Sequence, residues 1–383
     1  SLGANTTGSE NTAVGSATLD ANTTGVENTA VGYGALSNAT TANYNVALGK
    51  SALSSNTTGA SNTAVGKGAL ETSTTGDSNT AVGNAAMRLN TTGALNVAVG
   101  REALEANTTG AENVAVGYLA GTAITTGDNN VAVGEQSLAT ATTPDKNTAL
   151  GSRALQYTTT GANNTAVGCS ALTANTTASN NTAVGLSALT ANTTGALNTA
   201  LGYLAGTSVT TGNYNTMVGS NAADLLTTGN HNVLIGHDVA SSTQNLTTGE
   251  ENVVIGNYSH TSSGTVSQEI VLGYNVTGTG NQTFVFGRGT LDTNCSMGGT
   301  TWANPSDERI KEEIEDEVVG LSFINDLRPR TFRYRKEKDI PDSLNAHVAG
   351  SEKRYKTDKY EHGFVAQEVK EAIDKHNLKD GFD

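Results

Sequence analysis

The sequence predicts a mainly β fold: a stacked β-solenoid or flattened β-roll followed by a small α+β domain. Three observations predict it. The phrase Asn-Thr-Ala-Val-Gly, first met at Asn11 to Gly15, returns every 17 residues, with its Asn at 28, 45, 62 and onward to 232. Only 5% of residues are aromatic and 36% hydrophobic, while 44 are glycine, so a core must come from stacked layers of small residues. Charge then changes abruptly: residues 1–303 carry 24 charged side chains and the last 80 carry 34.

Each part of the rung has its own reason. Asn11 to Gly15 is a short strand in which Thr12 and Val14 share one face and Ala13 takes the other. Only Thr or Val stands at the Thr12 position in the regular rungs, and only aliphatic residues such as Leu48, Leu150 and Ile235 replace Val14. Both preferences favour strand, and bulk on that face predicts the rung interior. The Ala13 column stays Ala through Ala200 before becoming Met217, Leu234 and Val254. Held so small, it is expected to face the close-packed backbone of a neighbouring subunit. Gly15 ends the strand in a turn. Leu36, Leu53, Leu70, Met87 and Leu104 fill the second half of successive rungs. Asn22-Thr23-Thr24-Gly25 supplies turn residues, with the Thr pair as a second short strand.

The repeat loosens after Asn232. The next Asn is Asn252, a step of 20, and the glycine partner continues at Gly256, Gly273 and Gly287 with steps of 17 and 14. About seventeen rungs at the usual strand spacing of ~4.8 Å predict a stack of roughly 80 Å. The boundaries are residues 1–256 for the regular repeats, 257–303 for irregular end rungs and a linker from Asn294 to Asn304, and 304–383 for the C-terminal domain.

Composition and pattern also exclude functions. A net charge of −14 argues against nucleic acid as a partner. No run of 18 apolar residues predicts a membrane span, and no signal peptide is read at Ser1, where the chain begins in mid-pattern. Cys169 and Cys295 stand 126 residues apart, which fits folding in a reducing compartment. Asp20, Asp77 and Asp128 do not recur rung by rung, so no calcium-binding turn repeats, and no cofactor or metal is expected. The shaft acids are scattered over single rungs, which gives no paired carboxylates for glycoside hydrolysis. An ice-binding Thr array is disfavoured because adjacent Thr side chains point to opposite faces. Tyr33, Tyr118 and Tyr203 recur at intervals of 85 residues, or five rungs. They form a sugar-stacking stripe or, more simply, record duplication.

The repeats, with their Ala-aliphatic-Gly core, resemble the β-roll heads of trimeric autotransporter adhesins and, more closely, the repetitive shafts of phage tail fibres. That resemblance covers residues 1 to about 290. It implies a homotrimer.

The C-terminal domain opens at Asn304-Pro305-Ser306-Asp307-Glu308-Arg309-Ile310-Lys311. Ser306 suits a helix N-cap with acids in the first turn, and Ile310, Ile314 and Val318 fall on one helical stripe. Gly320 to Leu327 gives a second apolar segment, Thr331 to Tyr334 a strand, 336–359 a polar excursion, and Gly363 to Ile373 an amphipathic helix. On spacing alone Ser306 is a plain cap and Lys311 a solvated side chain, about 140° apart around a helix.

Four ordered motifs resemble the intramolecular chaperone of endosialidase-type tail spikes, a domain also used by the myelin gene regulatory factor. They are Ser306 to Lys311; Gly320-Leu321 with Ile324 and Leu327-Arg328-Pro329; Phe332-Arg333-Tyr334; and Gly363-Phe364 with Ala366-Gln367-Glu368-Val369. The resemblance implies a domain that trimerises the chain, guides shaft folding and then cuts itself off. Ser306 would be the nucleophile against the carbonyl of Pro305 and Lys311 the general base, a Ser/Lys dyad with no external substrate. Such a lysine needs a depressed pKa. The family continues past the Ala-Gln-Glu helix, so an abbreviated chaperone is expected here. The implied partners are two further copies of the chain, other tail proteins and a host-cell receptor, glycans among the candidates. The implied location is a virion tail, with a cell-surface adhesin as the rival.

Overall fold

The computed structural model describes residues 2–241, 246–289, 291–296, 320–342, 346–356 and 358–376. The chain divides into two compact units, Ser1–Pro305 and Ser306–Asp383. The first is a β-solenoid of seventeen parallel strands. Strands β1 (Thr12–Val14) to β15 (Val253–Ile255) are three residues each, one per rung, and β16 (Ile270–Tyr274) and β17 (Thr283–Arg288) are longer.

Pairing is strictly in register: Thr12 faces Thr29 and Ala13 faces Ala30. The register survives the 20-residue step, where Val233 faces Val253, and the 14-residue step, where Ile270 faces Phe284. Strand β18 (Leu291–Ser296) then folds back antiparallel onto β17 and covers its edge, which would otherwise present unpaired backbone groups. Asn294 pairs with Val285, so the expected linker begins inside a strand.

The two strand faces are opposite to expectation. The Ala column points inward, with Ala30, Ala47, Ala64 and Ala81 wholly buried. The Thr/Val face points outward, with Val14 57% and Leu48 47% exposed. What approaches the alanines is their own rung. Leu19, Leu36, Leu53 and Leu70 enter from the opposite side and are also wholly buried. The interior is too narrow for two bulky residues, so one of the pair must be small.

Exceptions follow the same volume rule. Where Gly121 replaces the leucine, a Cβ there would lie 3.1 Å from Ile124, which fills the gap. Where Gly206 replaces it, Met217 Sδ on the next rung lies 2.7 Å from where a Cβ would sit. Where Met217 and Leu234 make the strand residue large, the plug shrinks to Ala223 and Ala240.

The buried polar groups are arranged as ladders. Asn28, Asn45, Asn62 and their equivalents through Asn252 are wholly or almost wholly buried. The backbone N–H of Asn62 donates to Oδ1 of Asn45 at 2.9 Å, and Asn62 Nδ2 donates to the carbonyl of Gly76 at 2.8 Å. Each rung repeats this, so the amides of this column are matched from layer to layer.

The Thr pair forms no second strand. The N–H groups of Thr23 and Thr24 converge on one carbonyl, that of Thr40, at 2.9 and 3.2 Å, which a strand ladder cannot do. The Thr23 hydroxyl joins them at 2.9 Å, and this hydroxyl ladder continues along the stack to Thr247. The glycine after each strand holds φ near +135°, and a Cβ at Gly100 would lie 2.4 Å from the carbonyl oxygen of Gly117. That column is closed to side chains by both conformation and stacking distance.

Candidate functional site

The second unit is small. Helix α1 (Gly320–Asp326) leads to strand β19 (Arg330–Phe332), which pairs antiparallel with β20 (Glu361–Gly363), and α2 (Ala366–His376) follows. The expected apolar segment, strand and terminal helix are therefore present. The helix starts at Ala366 because residues 361–363 are taken up by the strand pair.

Charged contacts tie these elements together. Asp326, at the end of α1, accepts from Lys375 Nζ at 2.8 Å and lies 2.5 Å from His376 Nε2, both at the end of α2. These hydrogen bonds, Lys375 first, hold the Asp326 carboxyl below its ordinary range. Phe323 packs edge-on against the His376 ring, with centroids 5.7 Å apart. Arg330 grips Glu368 with two parallel hydrogen bonds of 2.8 and 2.7 Å, joining β19 to α2. Glu352 accepts from both Lys336 and Lys338, whose hydrogen bonds draw its pKa down to about 2. His362 is exposed, its Nδ1 3.0 Å from the Thr331 hydroxyl.

Apolar side chains are placed differently. Leu321 is 75% exposed, Ile324 60% and Phe364 51%, and among the described residues of this unit Ala372 alone is a buried hydrophobic. A stable single-copy domain buries such residues. Here Leu321, Ile324 and Phe364 belong to the motifs that carry the chaperone resemblance.

Residues 306–378 match the family described as chaperone of endosialidase. An endosialidase-type chaperone domain thus forms the C-terminus, preceded by a solenoid shaft. No curated protein and no solved structure matches the chain.

Ser306, Lys311 and the Pro305 cleavage position lie outside the described residues, as does the expected first helix. Sequence reading missed the Asp326–Lys375–His376 cluster and the Arg330–Glu368 pair. Their partners are 38 to 50 residues apart, and no fixed spacing announces them. Among the described residues no helix is long and apolar enough to cross a membrane.

Proposed function

We propose that this chain is the shaft of a homotrimeric attachment fibre of the phage-tail type, whose C-terminal chaperone aligns three copies and is then released by cleavage before Ser306. The outer face of the strands carries this reading. It presents Thr or Val and then Val, Leu or Ile on rung after rung, ending at Phe286, which is 43% exposed. Seventeen strands of this length and spacing make a strip with a footprint of roughly 800 Å², aliphatic along one column and Thr or Val along the other. Monomeric proteins rarely leave such a continuous patch open, and it matches the area one partner gives to a stable interface. The unburied Leu321, Ile324 and Phe364 supply a second surface that association would cover.

In this reading Ser306 Oγ attacks the Pro305 carbonyl while Lys311 takes the hydroxyl proton and passes it to the Ser306 amine as the Pro305–Ser306 peptide bond breaks; water then hydrolyses the resulting ester, freeing the Pro305 carboxylate and the Ser306 hydroxyl. The solenoid, once stacked, keeps its own register and no longer needs the clamp. Light scattering and mass spectrometry on the full chain test both halves. The expectation is a trimer whose chains are divided before Ser306, with Ser306→Ala giving an uncut trimer. Val99→Lys with Val116→Lys, two outward charges on adjacent rungs, should leave the rungs folded by circular dichroism but abolish the trimer. A monomeric, uncut wild type would refute the proposal.

A further inference from the structure

The shaft is acidic, with 17 acidic and 7 basic residues before position 304, yet four of those seven bases fall on four successive rungs. Lys50, Lys67 and Arg101 occupy the position just after the strand glycine, with Asn84 between the last two. Arg88 stands on the facing edge. Lys50, Lys67 and Arg88 line a groove of about 400 Å³ together with Ser51, Gly68 and Ala85.

Both ends of the basic column are aromatic. Lys50 lies over the Tyr33 ring at 5.9 Å, and Arg101 lies over Tyr118 at 5.7 Å. Tyr33 remains 61% exposed beside the lysine.

The charges are not equally engaged. Arg88 binds Glu105 at 2.6 Å and Arg101 binds Glu102 at 2.8 Å. Lys50 and Lys67 have no carboxylate within ion-pair distance among the described residues. They stand one rung apart, about 4.8 Å by strand spacing, on a line parallel to the stack. Glu71, across the groove, adds a carboxylate that accepts hydrogen bonds from hydroxyls.

We infer that this groove binds a carboxylated, hydroxyl-rich polysaccharide lying along the rungs. The two lysines meet its carboxylates, Glu71 and Asn84 meet its hydroxyls, and Tyr33 stacks on a sugar ring. Glu71, Glu102 and Glu105 keep the groove's net charge low, which favours spaced carboxylates over a densely sulfated chain. The inference rests on the attachment reading for its biological use, but its test is independent of trimerisation and cleavage.

Calorimetry on the full chain would use polygalacturonate, neutral dextran and dextran sulfate at low and physiological salt. Polygalacturonate should bind and dextran should not. Lys50→Gln with Lys67→Gln should weaken binding at least tenfold, and Tyr33→Ala severalfold. Lys146→Gln, a surface charge lost elsewhere on the shaft, should leave it unchanged. Absence of polygalacturonate binding, tighter binding of dextran sulfate, or equal loss on Lys146→Gln would each overturn the assignment. Trimer mass and cleavage measured on the same samples report separately on the assembly proposal.

Discussion

The shaft and the C-terminal unit solve the same problem in opposite ways. The shaft has few charges, and its polar groups are inside, matched layer to layer: Asn N–H to Asn Oδ1, Asn Nδ2 to carbonyl, Thr hydroxyl to carbonyl. The C-terminal unit is dense in charge. Its ion pairs are on the surface and its larger apolar side chains, Leu321 and Phe364 among them, are unburied. One region is stabilised by repetition along a line, each rung completing its neighbour. The other holds its elements by solvent-screened contacts, which contribute little in a single copy. A stack of identical layers has many equivalent registers, whereas a module with few internal contacts is free to take its order from partners. Joining the two makes physical sense when the second sets the register of the first.

The largest expected effect tests the internal matching. Asn113 Nδ2 donates to the Gly127 carbonyl at 2.8 Å, and its Oδ1 accepts from the Asn130 N–H at 2.9 Å. Asn113→Leu fits apolar bulk into a buried site but orphans both groups, at about 1–3 kcal/mol each. Unfolding by guanidinium should therefore shift to clearly lower concentration. A shift no larger than for an exposed substitution such as Asn84→Leu would mean that the ladder is decorative.

The C-terminal unit should instead respond to pH and salt. The Asp326 carboxyl is depressed by Lys375 and His376, so its contribution is fully present above the ordinary aspartate pKa and is lost as pH falls through the lowered one. Glu352, held at about 2 by Lys336 and Lys338, acts in the same direction between its ordinary 4.5 and that value. Hydrogen exchange in α1 and α2, corrected for the intrinsic pH dependence of the amide rate, should accelerate on acidification and at high salt, while the shaft amides stay protected. Equal acceleration in both regions would erase the contrast.

Much of this architecture was legible in the sequence. The 17-residue period fixed the rung, Thr12-Ala13-Val14 the strand, and Leu36, Leu53 and Leu70 the plug. The facing of the strand was not legible from alternation, because a three-residue strand offers one residue to one side and two to the other without saying which side is wet. Bulk pointed to the wrong face. A usable signal lay across the repeats: the Ala column enlarges at Met217 and Leu234, where the plug column shrinks to Gly206, Ala223 and Ala240. Two columns that exchange volume must share one interior. The C-terminal contacts were beyond such reasoning because that unit occurs once, and a single copy offers no internal comparison. Ser306 and Lys311 rest on motif resemblance, since spacing alone makes them a cap and a surface lysine.

The smallest effect has a definite sign. A second column runs Asn5, Asn22, Ala39, Asn56, buried from Asn22 onward, and Asn22 Nδ2 donates to Asn5 Oδ1 at 2.9 Å. Ala39 interrupts it, and Asn22 Oδ1 is buried without a partner. Ala39→Asn places a donor against that oxygen and an acceptor before Asn56 Nδ2. The carbonyl of Ala42 is there to receive it locally, as that of Ala178 receives Asn175 at 3.2 Å. The gain should be about 1 kcal/mol, read as a higher guanidinium midpoint. The same exchange at Ile124 should do the reverse. Asn107 Oδ1 is likewise unpartnered below it, but Ile124 fills the space that Gly121 leaves, and a polar replacement would open a cavity. If both substitutions moved stability the same way, side-chain volume and hydrogen-bond completion would not be the separate requirements that the rung interior implies.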